Sequence, residues 1–272
     1  MEEKTKSNLI IIGGAEDKEG NKEILKYVCS TIDKSRDVLL IATVATEQPK
    51  EAGEKYKRLF HGLGVAEVRI LDVSHRYQAE EIENVNLVKE ASLIFFTGGD
   101  QLRITSILGG TALHDALKNK YEEGCTFVGT SAGASVMSDT MIVKGLDEES
   151  PKKCTLKMAP GLGLLKGVIV DQHFAQRGRI GRLLVGIAEN PGVLGIGIDE
   201  DTAIIVNEQG SFKVIGSGAV YVIDGRTITY SNVSEQYQEE LLCMFNIKMH
   251  VLKNKNIFDL NSKEPMEEEA EA

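Results

Sequence analysis

Short, wholly apolar runs that stop abruptly at glycine alternate along the first half of the chain with segments whose apolar residues recur at helical spacing. Asn8 to Ile12 (NLIII) ends at Gly13-Gly14, Val38 to Val44 (VLLIATV) is a second such run, and Leu93 to Thr97 (LIFFT) ends at Gly98-Gly99. Cys125 to Gly129 reads in the same way, and Glu67 to Leu71 (EVRIL) is a further strand. Runs of this length with no polar alternation are strands buried on both faces. Between them, Asn21 to Ile32, Glu51 to Leu63 and Ala112 to Tyr121 carry helical periodicity. Strands alternating with helices predict an α/β fold: a mostly parallel central sheet with helices on both faces.

Beyond Pro191 the texture changes. Residues 192–199, 202–207, 212–215, 219–223 and 227–230 are β-rich and separated by Gly, Asn and Asp turns, and residues 247–252 and 257–260 add closing strands. This pattern predicts an antiparallel β-rich C-terminal extension of the same sheet. No linker or internal repeat interrupts it, so residues 1–262 are expected to form a single domain. Residues 263–272 hold five glutamates and are expected to be an acidic, disordered tail.

The stretch TFVGTSAGASVM raises the first chemical question. Gly129-Thr130-Ser131-Ala132-Gly133 fits G-x-S-x-G, with a strand before it and a helix after it. A sharp strand-to-helix turn lifts a nucleophile clear of the sheet, and only small neighbours fit around it. A serine hydroxyl needs a base to take its proton. Of the five histidines, His61 and His75 lie in polar connections, His114 in a helical pattern and His250 in a late strand. His173 stands where the apolar strand GVIVDQHF turns polar, at the carboxyl end where open α/β sheets place their sites. Ser131 and His173 are therefore the expected nucleophile and base. An orienting carboxylate is expected from Asp199, Glu200 or Asp201; strand alternation puts Glu200 on the opposite face from the two aspartates but does not choose among them. Backbone amides near Gly99 and at Ala132 are expected to hold an oxyanion.

The run RGRIGR, residues 177–182, opens an amphipathic helix but breaks local rules. Gly178, Gly181 and Gly186 each weaken a helix by about 1 kcal/mol, and cations at a helix start oppose its dipole. Arg177, Arg179 and Arg182 are read as a carboxylate-binding cluster, Asp171 as a partner for a cation, and Gln101 and Gln172 as amide contacts. Such a site suits a substrate bearing both signs of charge.

Composition narrows the classes. The net charge is −10, tryptophan is absent and no basic stretch is interleaved with aromatics, which argues against nucleic acid. The four cysteines are scattered without a CxxC pair or a histidine cluster, so no metal site is expected and reduced thiols in a cytosolic protein are. No apolar run reaches membrane-spanning length, and MEEKTKSN lacks the apolar core of a signal peptide. Cytoplasm is the default. The glycines of IIIGGAEDKEG do not have G-x-G-x-x-G spacing, so dinucleotide binding is not supported.

Taken in order, IIIGGAEDK, TGGDQLRI, GTSAGAS, VDQHFAQRGRIGRL, GIGIDEDTA and GSGAVYVIDG resemble the cyanophycinase family of serine peptidases over most of residues 8–225. That family is related to α-aspartyl dipeptidases and has a class I glutamine amidotransferase-like, flavodoxin-like fold. The resemblance implies a triad of Ser131, His173 and Glu200, no metal or other cofactor, and substrate contacts from Gln101, Asp171, Gln172, Arg177, Arg179 and Arg182. It implies a homodimer acting as an exopeptidase on cyanophycin, a poly-aspartate with arginine on each β-carboxyl, releasing β-Asp-Arg dipeptides. The alternatives are an aspartyl or isoaspartyl dipeptidase and a non-catalytic binding protein of the same fold.

Overall fold

The computed structural model describes residues 7–235 and 240–266. The first half runs β1 (Ser7–Ile12), α1 (Glu23–Ser30), β2 (Val38–Ala42), α2 (Pro49–Gly62), β3 (Glu67–Leu71), α3 (Ile82–Glu90), β4 (Leu93–Phe96), α4 (Gln101–Leu108), α5 (Ala112–Glu122) and β5 (Thr126–Thr130). The second half runs α6 (Ala132–Ser135), β6 (Thr140–Lys144), β7 (Lys157–Pro160), β8 (Val168–Gln172), α7 (Ile180–Glu189), β9 (Leu194–Ile198), β10 (Thr202–Asn207), β11 (Ser211–Gly216) and β12 (Val220–Asp224). Five short strands close it: β13 (Tyr230–Ser231), β14 (Met244–Phe245), β15 (Lys248–Leu252), β16 (Ile257–Asp259) and β17 (Glu264–Met266).

β1, β5, β4, β2 and β3 lie side by side and parallel, forming the centre of a nine-stranded sheet. Both faces of β2, β4 and β5 are buried, which is why VLLIA and LIFF carry no polar residue, while the edge strand β3 exposes Glu67. One face packs Ile10, Ile12, Leu39, Ile41 and Phe95 against α1 and α2 through Leu25, Val28, Tyr56 and Phe60. The other packs Leu9, Ile11, Leu40, Ile94 and Phe96 against Val88, Ile104 and Leu117 of α3, α4 and α5. Each aliphatic side chain buried in this way contributes about 1.5–3 kcal/mol.

Helices α3 and α4 were not legible in the apolar pattern. The segment IENVNLVKE buries only Val85 and Val88. α4 announces itself by its cap instead: the Asp100 side chain accepts a hydrogen bond from Leu102 N–H.

The C-terminal strands do not all extend the central sheet. β10, β11, β16 and β17 do so, antiparallel, beyond β1. β9, β12 and β15 instead join β8 in a separate four-stranded sheet. Val170, Ile196, Ile198 and Val222 of this second sheet share a core with Ile204, Val206 and Val214, so it covers the antiparallel half where no helix is available. α7 covers its outer face through Leu183 and Ile187. The expected tail also needs correction at its start: Glu264–Met266 pairs with Ile257–Asp259, backbone pairing with an exposed edge being compatible with acidic side chains that face solvent. Residues 267–272 lie outside the described residues. Among the described residues no helix is long and apolar enough to cross a membrane.

Candidate active site

Three chain segments converge at the exit of β1. Ser131, at the end of β5, has φ 54° and ψ −114°, the strained turn expected of a lifted nucleophile. His173, directly after β8, has φ 49°, and Asp201, one residue past Glu200, has φ 47°. Consecutive carbonyls of β1 and its glycine pair accept one amide from each segment. Ser131 N–H donates to Ile12 O at 3.1 Å, His173 N–H to Gly13 O at 2.8 Å and Asp201 N–H to Gly14 O at 2.9 Å. The GGAEDK segment, which lacks phosphate-loop spacing and opens the family resemblance, is thus a common anchor for the site.

Ser131 Oγ lies 3.0 Å from His173 Nε2, and His173 Nδ1 lies 2.5 Å from Glu200 Oε1. The tautomer that satisfies both contacts carries its hydrogen on Nδ1, donates it to Glu200 and leaves Nε2 to accept from the serine. Of the three acids, Glu200 is the one that meets the imidazole. Asp199 accepts from Ala175 and Ala219 N–H, and Asp201 accepts from Asp17 N–H and the Ser217 hydroxyl. Strand alternation could not separate them because β9 ends at Ile198 and the acids lie in the turn beyond it.

His173 is buried, and this desolvation pulls its pKa below the ordinary 6.5. The Glu200 bond works in the opposite direction, while the charges of Arg177 and Arg179 add to the lowering. The imidazole is therefore neutral, and able to take a proton, at neutral pH.

Gly98 packs directly on the serine: a Cβ added there would lie 3.3 Å from Ser131 Cβ and 3.7 Å from Oγ. Gly99 follows with φ 145°, and Ala132 opens α6 on the other side. Both expected oxyanion donors thus belong to segments flanking Ser131.

The remaining sequence-predicted residues fall into two groups. Gln172 Oε1 is 3.4 Å from Ser131 Oγ, and Arg177 is exposed with its charge felt at His173. Gln101 is buried and its Nε2 donates one N–H to Ile142 O at 2.6 Å, leaving its amide oxygen and second N–H for other contacts. The other group is engaged internally. Asp171, with 0% exposure, was read as a partner for an external cation; it instead accepts two hydrogen bonds from Arg182, from Nε at 2.7 Å and from Nη2. A carboxylate excluded from water needs a permanent counter-charge, and Arg182 supplies it.

Glu16 was missed by the sequence reading. It is 3% exposed and accepts from the hydroxyls of Thr130 and Tyr56, each at 2.6 Å, and from Lys18 Nζ at 2.9 Å. It thereby holds the residue immediately before the nucleophile. An acid two residues past the GG pair was the available signal. Among the described residues no group of three or more His, Cys, Asp or Glu side chains is arranged to hold a metal ion.

Residues 9–215 match the model of peptidase family S51. A cyanophycinase from Geminocystis herdmanii (strain PCC 6308) is 37% identical over 267 residues, covering 98% of each chain. A cyanophycinase from Nostoc sp. (strain PCC 7120 / SAG 25.82 / UTEX 2576) is 38% identical over 257 residues, 94% of this chain and 86% of that one. Among solved structures, a peptidase from an acI-B1 Actinobacterium superposes with a TM-score of 0.63 at 25% identity, over 87% of this chain and 96% of that one. With a family match spanning most of the chain and relatives of this identity along almost its whole length, the chain belongs to peptidase family S51 and is a serine peptidase.

Proposed function

We propose that the protein hydrolyses cyanophycin, releasing β-Asp-Arg dipeptides by way of an acyl-enzyme on Ser131. The observation that carries the chemistry is the unbroken contact from Ser131 Oγ through His173 to Glu200. The substrate rests on the relatives named cyanophycinase, which are 37% and 38% identical.

Ser131 Oγ attacks the scissile carbonyl carbon as its proton passes to His173 Nε2, and Glu200 stabilises the resulting imidazolium. The oxyanion that forms is held by backbone N–H groups of Gly99 and Ala132. Collapse breaks the C–N bond, and the imidazolium returns its proton to the leaving amine. Water then attacks the ester carbonyl with His173 again taking the proton, which frees the acid and restores Ser131. Gln172, beside the nucleophile, and Arg177, exposed and close enough for its charge to act on His173, contact the substrate, Arg177 supplying charge for a carboxylate. Gln101 contributes its amide oxygen and its second amide N–H.

A homodimer in the cytoplasm completes this reading. Tyr230 and Phe245 on the β13–β14 pair, and Met249 and Val251 on β15, the outer strand of the four-stranded sheet, are exposed apolar residues that support self-association. Light scattering on the purified protein tests it.

The deciding experiment is incubation with purified cyanophycin, mass spectrometry of the products, and a Ser131→Ala control. β-Asp-Arg from the wild type alone supports the proposal. Cleavage of Asp-X or isoaspartyl dipeptides with cyanophycin left intact replaces it with the dipeptidase alternative.

A further inference from the structure

The internal ion pair at Asp171 is part of a larger assembly. Arg182 uses one edge for Asp171 and donates from Nη1 to Asp147 Oδ1 at 3.0 Å. Arg179 donates to the same aspartate, from Nε to Oδ1 at 3.2 Å and from Nη2 to Oδ2 at 3.3 Å. Two arginines and two aspartates thus close into a group without net charge. The arginines are 5% and 7% exposed, so their charges depend on these carboxylates and not on solvent. The remaining donor of Arg179, Nη1, bonds Gln172 O at 2.7 Å. That carbonyl belongs to the peptide leading into His173, and Gln172 itself reaches Ser131.

Asp147 stands on the loop between β6 and β7, and the glycines of RGRIGR form its seat. Glu148 N–H donates to Gly178 O at 3.2 Å. A Cβ on Gly178 would come within 3.0 Å of Glu148 Cα, and one on Gly181 within 2.4 Å of Glu149 O. The glycines that weaken the start of α7 therefore admit this loop, and the loop delivers Asp147 to the arginines.

We propose that Asp147 is a positioning residue for catalysis: through Arg179 it holds the Gln172–His173 peptide in place, so that the imidazole stays within reach of Ser131. This rests on the triad reading above. Without the Asp147 charge, two buried arginines face one aspartate. Arg179 Nη1, already 3.6 Å from Asp171 Oδ1, is then drawn from the Gln172 carbonyl toward that carboxylate, and the peptide leading into His173 keeps its N–H bond to Gly13 O but loses the bond on its carbonyl side. A displacement of about 1 Å at such a contact is costly.

The test compares wild type with Asp147→Asn and Asp147→Glu, well below their unfolding temperatures. The readouts are the rate of Ser131 modification by a fluorophosphonate and kcat and KM on cyanophycin. Asp147→Asn is expected to lower both the modification rate and kcat by about tenfold or more, with KM within about twofold, and Asp147→Glu to recover part of the loss. Gly181→Ala, which lifts the loop and leaves every charge in place, is expected to reproduce the defect and serves if Asp147→Asn does not fold. Wild-type modification rate and kcat in Asp147→Asn would overturn the proposal, whatever its thermal stability. So would a fall in KM alone, which would make Asp147 a competitor of the substrate carboxylate. A wild type that is modified by the probe but leaves cyanophycin intact would sink the substrate assignment and leave Asp147 testable by the probe.

Discussion

Gly14 lies flat against the imidazole of His173: a Cβ on this residue would sit 2.4 Å from Cε1 and 2.5 Å from Nε2. Its φ of 102° is also one that only glycine adopts without strain. Gly14→Ala is therefore expected to push the ring off Ser131 and abolish fluorophosphonate modification. Near-normal labelling of a folded Gly14→Ala protein would show that the ring does not need this space.

Ser131→Ala is expected to lower turnover on cyanophycin by a factor on the order of 10⁴ or more, with an unchanged far-UV spectrum, because the methyl group fits the same turn. Residual turnover within tenfold of wild type would remove Ser131 from the mechanism. Glu200→Gln is expected to lower turnover steeply as well, since the amide favours the wrong imidazole tautomer.

The acid limb of the rate of Ser131 modification reports the protonation of His173. Burial lowers its pKa, so the limb is expected below 6.5, with the rate falling as pH drops through that lowered value. Arg177→Gln removes a positive charge that disfavours the imidazolium and is expected to move the limb upward. A wild-type limb above 6.5 would contradict the assignment of the base.

Asp171→Asn separates an internal counter-charge from a substrate contact. As the buried partner of Arg182, Asp171 is expected to cost about 3–5 kcal/mol of stability when neutralised, read as a large drop in unfolding temperature. A variant of wild-type stability with a raised KM would return Asp171 to the substrate side.

The four cysteines are free. Burial pushes the thiol of Cys29 up to about 11 and that of Cys125 up to about 12, whereas Cys154 is exposed. Iodoacetamide on the native protein is expected to modify Cys154 ahead of Cys29 and Cys125 and to leave activity intact. Loss of activity in step with alkylation would point to a thiol in the mechanism.

The central strands and Ser131 were readable because each depends on local chemistry: apolar runs covered on both faces, and small residues around one hydroxyl. The acid that orients His173 was not readable from its own surroundings, and only the resemblance to cyanophycinases named it. Nothing near IDED distinguishes Glu200 from Asp199 until the turn after β9 is seen. Asp147 lies 32 positions before Arg179 in an unremarkable loop. Asp171 was assigned to an external cation because its internal partner, 11 positions on, was itself assigned to the substrate. The second sheet escaped for a similar reason: β9 and β10 read alike as apolar strands, and only the turn between them sends them to different layers.

The three carbonyls of Ile12, Gly13 and Gly14 give the site a single datum from which nucleophile, base and acid are all measured. Disturbance at the start of α7 reaches His173 alone, whereas a slip of one residue in the first strand would misplace all three together. Damage here is therefore expected to be all-or-none, yielding well-folded but inert molecules instead of a graded series of slower enzymes.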